Sequence, residues 1–259
     1  MNIAVCAKSV PTSSVVITID PDTQRVVRDG VSHELDPAAE CALEVGLQLV
    51  EQHGGSVTVI SMGKASAADD IRKALAMGAE RAIHICDDAL AGSDTLATAK
   101  ALAAAIKKES FDLVICTTEA TDTYSGLVPG QVAELLGFAP LTFAREIALE
   151  GRTATIHRQT EDGYQVVHAE LPALVTVMSG INEPRYPSLK GIMGAKRKEV
   201  LRYTAADLGL PATEVGAAGA RERVLEIAPA PSRAQGRIVT DEGDGGVLIA
   251  DFLASLKVI

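Results

Sequence analysis

The sequence contains no tryptophan, and its aromatic residues make up only 3% of the chain. So few rings leave no stacking platform of the kind that holds single-stranded nucleic acid. Clustered cations are scarce as well: 24 Lys and Arg stand against 34 Asp and Glu, giving a net charge of −10. Phosphate backbones and anionic lipid surfaces demand the opposite balance, so neither nucleic acid nor membrane is expected as the main partner. The four cysteines, Cys6, Cys41, Cys86 and Cys116, lie in apolar stretches without C-x-x-C spacing. This argues against a metal site or a disulfide framework and for small buried hydrophobes. No apolar run approaches the ~20 residues of a spanning helix, so no membrane insertion is expected. Met1 stands directly before a strand-like NIAVCA with no basic leader, and the expected location is the cytoplasm. Walker A, G-x-G-x-x-G and S-G-G-x-D-S loops are all missing, which leaves ATP-hydrolysing chemistry without its usual phosphate cradle.

What is present is a chain of 259 residues, 47% hydrophobic and 22% charged, long enough to bury a sizeable core. Apolar strand-like runs alternate with helical patterns. The strands are Asn2 to Ala7, Ser56 to Ser61, Arg81 to Cys86 and Leu113 to Thr117; the helices are Ala38 to Gln52, Ala67 to Met77 and Ser93 to Lys108. This alternation predicts βαβ units and an α/β fold with a doubly wound, mostly parallel sheet. Val15 to Asp20 and Arg25 to Val27 flank a Pro21-Asp22-Thr23 turn and read as a hairpin. From about Arg145 the period changes to short alternating strands joined by Glu150-Gly151 and Asp162-Gly163, an added antiparallel meander. Residues 211 to about 235 carry Pro-Ala and Ala-Gly steps of linker type. A short amphipathic helix, Val247 to Leu256, follows and needs a surface to cover.

In a doubly wound sheet, ligands sit beyond the carboxyl ends of the strands. That singles out the loops Ala7 to Pro11, Ser61 to Lys64 and Thr117 to Pro129. The last, TTEATDTYSGLVPGQVAELLG, follows a strand and opens a helix, bringing Thr121, Thr123 and Ser125 to a helix N-terminus. Phosphate binds well there, although the same pattern also serves a plain capped helix. Lys8 reads either as a phosphate contact or as a surface lysine. Residues 182–200, NEPRYPSLKGIMGAKRKEV, form a second distinctive stretch. Pro184 and Pro187 stiffen its start, Leu189, Ile192 and Met193 fall at i, i+3 and i+4, and Lys196, Arg197 and Lys198 close it. An apolar tip backed by cations suits a docking surface, and a capped surface helix with a solvated basic end is the alternative. No nucleophile, acid-base pair or ligand cluster stands out. His33, His53, His84, His157 and His168 are scattered, with His157 and His168 able to face each other across the meander, and Asp69-Asp70 and Asp87-Asp88 open helices.

The run NEPRYPSLKGIM with its basic tail closely resembles the signature of the electron transfer flavoprotein β subunit family, also called FixA. VCAKSVP, IRKALAMGAERAIHI and GSDTLATAKALA extend the resemblance over about residues 1 to 210. It implies an adenine nucleotide alpha hydrolase-like fold, with residues 1–210 as the nucleotide-binding domain and 182–200 as its recognition loop. Residues 211–259 would then be a linker and C-terminal arm packing on a partner subunit. Also implied is AMP, held structurally by Asp122, Thr123, Ser125, Gly126, Leu127 and Val128, with Cys6, Ala7, Asp36 and Met62 around adenine and ribose. FAD would belong mainly to an α subunit, with Ser13 and Ala38 of this chain beside it. Pro184, Arg185, Tyr186, Leu189, Ile192, Met193, Lys196 and Lys198 would meet acyl-CoA or related dehydrogenases, Leu189 acting as the anchor. Electrons would pass on to a membrane quinone oxidoreductase, and the chain would be an electron-carrier subunit without a catalytic centre. Many members carry Asn-Gln-Thr in the nucleotide loop, and electron-bifurcating members, which hold a second FAD there, carry Asp-Gly-Asp-Thr-Ala-Gln. This chain departs from both with Asp122-Thr123-Tyr124-Ser125-Gly126-Leu127. The alternatives are a bifurcating β subunit and a stand-alone adenine-nucleotide-binding protein.

Overall fold

Strand β1 (Asn2–Cys6) shows how the sheet is built, because Ile3, Ala4 and Val5 are all fully buried. With a period of two, Ile3 and Val5 point into one core and Ala4 into the other, so both faces of the strand are covered by helices. The computed structural model describes residues 1–228, 231, 236 and 238–259. After β1 come the short strands β2 (Ser9–Pro11), β3 (Ile19–Asp20), β4 (Arg25–Val26) and β5 (His33–Leu35). Then α1 (Pro37–His53), β6 (Ser56–Met62), α2 (Ala68–Met77), β7 (Arg81–Ile85), α3 (Thr95–Ile106), β8 (Leu113–Thr117) and α4 (Val128–Leu136) alternate. The meander β9 (Ala139–Glu150), β10 (Thr153–Thr160) and β11 (Gly163–Glu170) is followed by β12 (Ala173–Val177), α5 (Leu189–Ala195) and β13 (Val200–Tyr203). Two further helices are α6 (Gly216–Gly219) and α7 (Gly245–Ser255).

The main sheet has nine strands in the order β11-β10-β9-β12-β8-β1-β6-β7-β13. Pairings from β9 through to β13 are parallel, and β10 and β11 run antiparallel at one edge. Leu43, Leu47, Ile71 and Leu75 of α1 and α2 pack on the face carrying Ile3 and Val5. Leu102, Ile106, Val132 and Ala133 of α3 and α4 pack on the face carrying Ala4, Ile60 and Ile83. Helices on both faces of a mostly parallel sheet are the doubly wound α/β architecture expected. Among the described residues, no helix is long and apolar enough to cross a membrane.

Four local features differ from the sequence expectation. The hairpin shrinks to Ile19–Asp20 against Arg25–Val26, because Val16 and Ile17 are exposed and find no sheet face to bury them. Strand β9 starts at Ala139 rather than near Arg145, pairing with β12 first and β10 later. The pairing with β12 breaks register between Leu141 and Ala144, where Phe143 takes a left-handed φ of 59° and its N–H donates to Thr176 Oγ1 at 2.9 Å. His168 lies opposite Thr155, not His157; His157 instead stacks on Tyr164 with ring centroids 4.5 Å apart. Residues 211–223, expected as the start of a linker, pack on the α/β unit through Ala217 N–H to Ala91 C=O and Gly216 N–H to Ser93 Oγ, both 3.0 Å. Residues 229, 230 and 232–235 of that expected linker lie outside the described residues.

By its contacts the chain divides into Met1–Arg223 and Val224–Ile259. The second unit contains α7, whose start is organised by Asp241 Oδ1 accepting the N–H groups of Gly243 and Gly245, each at 2.8 Å.

Candidate functional site

Strand order reverses at β1: β6 and β7 lie on one side, β8 and β12 on the other. The chain leaving β1 and the chain leaving β8 therefore diverge and open a crevice at the carboxyl edge, where ligands bind in such folds. Two buried carboxylates hold this place together. Asp36, 1% exposed, caps α1 by accepting Ala38 N–H at Oδ1, and its Oδ2 accepts Thr121 N–H from the loop after β8, each at 2.9 Å. The Asp36 N–H in turn donates to Lys8 C=O at 2.9 Å.

Asp122 is the second carboxylate, with 1% of its side chain exposed. Lys8 Nζ lies 2.6 Å from Oδ1 and Arg28 Nη2 2.5 Å from Oδ2. Burial opposes the negative charge, but the two cations outweigh it and hold the carboxyl below the usual aspartate range. Burial likewise pushes the Lys8 ammonium down against the pull of Asp122. The Asp122 carboxylate is thus saturated by internal partners, while Lys8 and Arg28 each keep about a third of their side chains open (36% and 31%). Tyr124 (φ 47°) and Gly126 (φ 64°) both adopt left-handed backbone, folding the loop tightly before α4. No side chain caps α4, so the first-turn N–H groups have no side-chain acceptor. Thr123 and Ser125, the open edges of Lys8 and Arg28, and this helix start make a donor set that fits a phosphate monoester.

The other residues expected around a nucleotide occupy the same carboxyl edge. Ala7 follows β1 and its N–H donates to Ile60 C=O at 2.9 Å; Cys6 and Met62 are half-buried at the ends of β1 and β6. Hydrogen bonding to Cys6 and burial together push the Cys116 thiol well up. Of the two positions expected beside a flavin, Ser13 is exposed but Ala38 is only 6% exposed, in the first turn of α1.

The stretch 182–200 divides into two kinds of residue. Tyr186, Leu189 and Met193 are 95%, 82% and 75% exposed, and Ile192 and Lys196 are exposed too. Pro184 is half-buried, and Arg185 and Lys198 turn inward. Arg185 donates from Nε to Glu44 Oε2 at 2.7 Å and from Nη1 to Glu51 Oε1 at 2.5 Å, both on α1. Burial opposes the charge of Glu44, yet its bonds to Arg185 hold that carboxyl low, and the Arg185 guanidinium is raised in return. Lys198 Nζ donates to Leu75 C=O at 3.0 Å and Ala79 C=O at 2.5 Å at the end of α2.

Sequence reasoning missed Arg28, Glu44 and Glu51. Arg28 comes from an irregular segment with no pattern to mark it. Glu44 and Glu51 sit seven residues apart on a predicted helix, a spacing that does place two acids on one face.

Residues 23–208 match the electron transfer flavoprotein domain family. The chain is 42% identical to the electron transfer flavoprotein subunit beta of Mycobacterium leprae, covering 100% of this chain and 99% of that one. The corresponding subunit of Megasphaera elsdenii is 39% identical, with 97% and 96% covered. The caffeyl-CoA reductase-Etf complex subunit CarD of Acetobacterium woodii is 37% identical, with 93% and 92% covered. With the doubly wound fold, the signature stretch and matches along the whole chain in agreement, this protein belongs to the electron transfer flavoprotein β subunit family.

Proposed function

We propose that this chain works in the cytoplasm with an α subunit, holds AMP as a structural nucleotide and has no catalytic centre of its own. AMP would lie in the loop Asp122 to Val128, its phosphate met by the hydroxyls of Thr123 and Ser125 and the N–H groups opening α4. Cys6, Ala7, Asp36 and Met62 would line the crevice towards adenine and ribose. Because the Asp122 carboxylate is already taken by Lys8 and Arg28, its role is to fix the loop, and the open edges of the two cations are left for the phosphate. FAD, which supplies the redox chemistry when bound, would belong mainly to the α subunit. Ser13 would face it; Ala38 is too buried to do so.

Electrons would arrive from acyl-CoA-type dehydrogenases docked at 182–200 and leave toward a membrane quinone oxidoreductase. The observation that carries this reading is Leu189, 82% exposed at the first position of a short helix, flanked by exposed Tyr186 and Met193. A few apolar atoms inside a polar rim suit a partner that must bind and leave repeatedly. The test is Leu189→Ala in the flavin-loaded heterodimer. Reduction by a substrate-reduced acyl-CoA dehydrogenase should slow at low concentration with flavin content intact, and unchanged kinetics would remove the docking role.

A further inference from the structure

Arg185 and Lys198 belong to the stretch proposed above to meet the partner, yet neither presents a free charge to it. Arg185 makes five bonds to α1: its backbone N–H to Glu44 Oε2 (3.2 Å), Nε to the same oxygen (2.7 Å), Nη2 to Glu44 Oε1 (3.0 Å) and Glu51 Oε2 (3.2 Å), and Nη1 to Glu51 Oε1 (2.5 Å). With 5% of its side chain exposed, Glu44 is out of reach of any docked protein. Asn182 Nδ2 adds a bond to Cys41 C=O at 3.1 Å, also on α1. At the far end the attachment is to α2 and runs both ways. Lys198 caps the end of α2, and Arg72 of α2 donates to Ala195 C=O (2.7 Å) and Lys198 C=O (2.9 Å) at the end of α5. Gly191 sits so close to α2 that a Cβ there would lie 2.3 Å from Ala76 C=O. Tyr186, Leu189 and Met193 lie between the two attachments and point outward.

We propose that Arg185 and Lys198 are positioning residues: they clamp the segment 182–200 to α1 and α2, so that Tyr186, Leu189 and Met193 are presented already ordered. A mobile segment would lose backbone and side-chain freedom on docking, and the clamp removes that cost in advance. The inference rests on the docking role proposed above. It separates charges that hold the segment from charges that touch the partner, and it predicts that a buried acid on α1 matters as much to docking as Arg185 does.

The test uses the flavin-loaded heterodimer with Arg185→Gln, Glu44→Gln, Lys198→Met and Leu189→Ala. Reduction by an acyl-CoA dehydrogenase reduced with its substrate is followed against concentration, and amide exchange is followed over residues 183–196. Arg185→Gln and Glu44→Gln should each raise the half-saturating concentration about tenfold, leave the limiting rate unchanged and speed exchange across the segment by a similar factor. Lys198→Met should do the same, with the faster exchange centred on α5. Where Glu44→Gln folds poorly, Glu51→Gln, at an exposed position, should move both readouts in the same direction. If Arg185→Gln weakens docking while Glu44→Gln and Glu51→Gln leave docking and exchange unchanged, Arg185 touches the partner and the clamp is refuted. If Leu189→Ala leaves half-saturation unchanged, the docking role itself falls, a failure distinct from the first.

Discussion

The N–H of Thr121 donates to the buried carboxylate of Asp36 at 2.9 Å, joining the loop after β8 to the residue that caps α1. One side chain thus fixes both walls of the crevice at the point where strand order reverses.

Asp36→Ala removes a helix cap worth about 1 kcal/mol. It also orphans the N–H of Thr121, at about 1–3 kcal/mol. The summed loss, about 2–4 kcal/mol, should appear as a lower urea midpoint, together with weaker retention of AMP through purification. Asp36→Asn, which keeps one acceptor oxygen, should fall between Ala and the natural residue.

Asp122 makes stability depend on pH in a defined direction. Its carboxyl sits below the ordinary range because Lys8 and Arg28 outweigh the opposing effect of burial. A depressed folded value contributes stability that is fully present above the unfolded value, about pH 4, and is lost as pH falls toward the folded one. Asp122→Asn should therefore be less stable than the natural protein at neutral pH, and the two urea midpoints should converge as pH drops below about 4. Parallel curves down to acid pH would mean that the two ion pairs contribute nothing.

Gly191→Ala sets two effects against each other. Alanine favours a helix by up to about 1 kcal/mol. Its Cβ, however, would lie 2.3 Å from the Ala76 carbonyl oxygen, a backbone atom that cannot turn aside. Overpacking of this kind costs about 1–3 kcal/mol, so α5 should shift away from α2. Faster amide exchange in Leu189–Ala195 and a lowered unfolding temperature are the expected readouts.

The parallel sheet was legible because its strands are short, mostly apolar runs and its helices carry starts and stops, as with Pro37 at the start of α1 and Gly78 after α2. Strand β13 was not legible. Val200–Tyr203 is short, follows a basic run, and becomes a strand only by pairing with β7 at the edge of the sheet. The long β9 was hidden for a similar reason, since its first part becomes a strand only by pairing with β12, a pairing that breaks register at Phe143. At the candidate site, sequence pattern located both the loop and the exposed tip. It could not show that Arg185 and Lys198 are tied to α1 and α2, because their partners Glu44 and Leu75 are more than a hundred residues away along the chain.

The nucleotide content of the purified heterodimer tests the central claim most directly. Denaturation with acid, followed by chromatographic separation and quantification, should yield AMP and FAD in equimolar amounts, with the AMP lost first in the Asp36→Ala protein. FAD alone, in excess over the heterodimer, would contradict the account and make the loop at Asp122 to Val128 the seat of a second flavin.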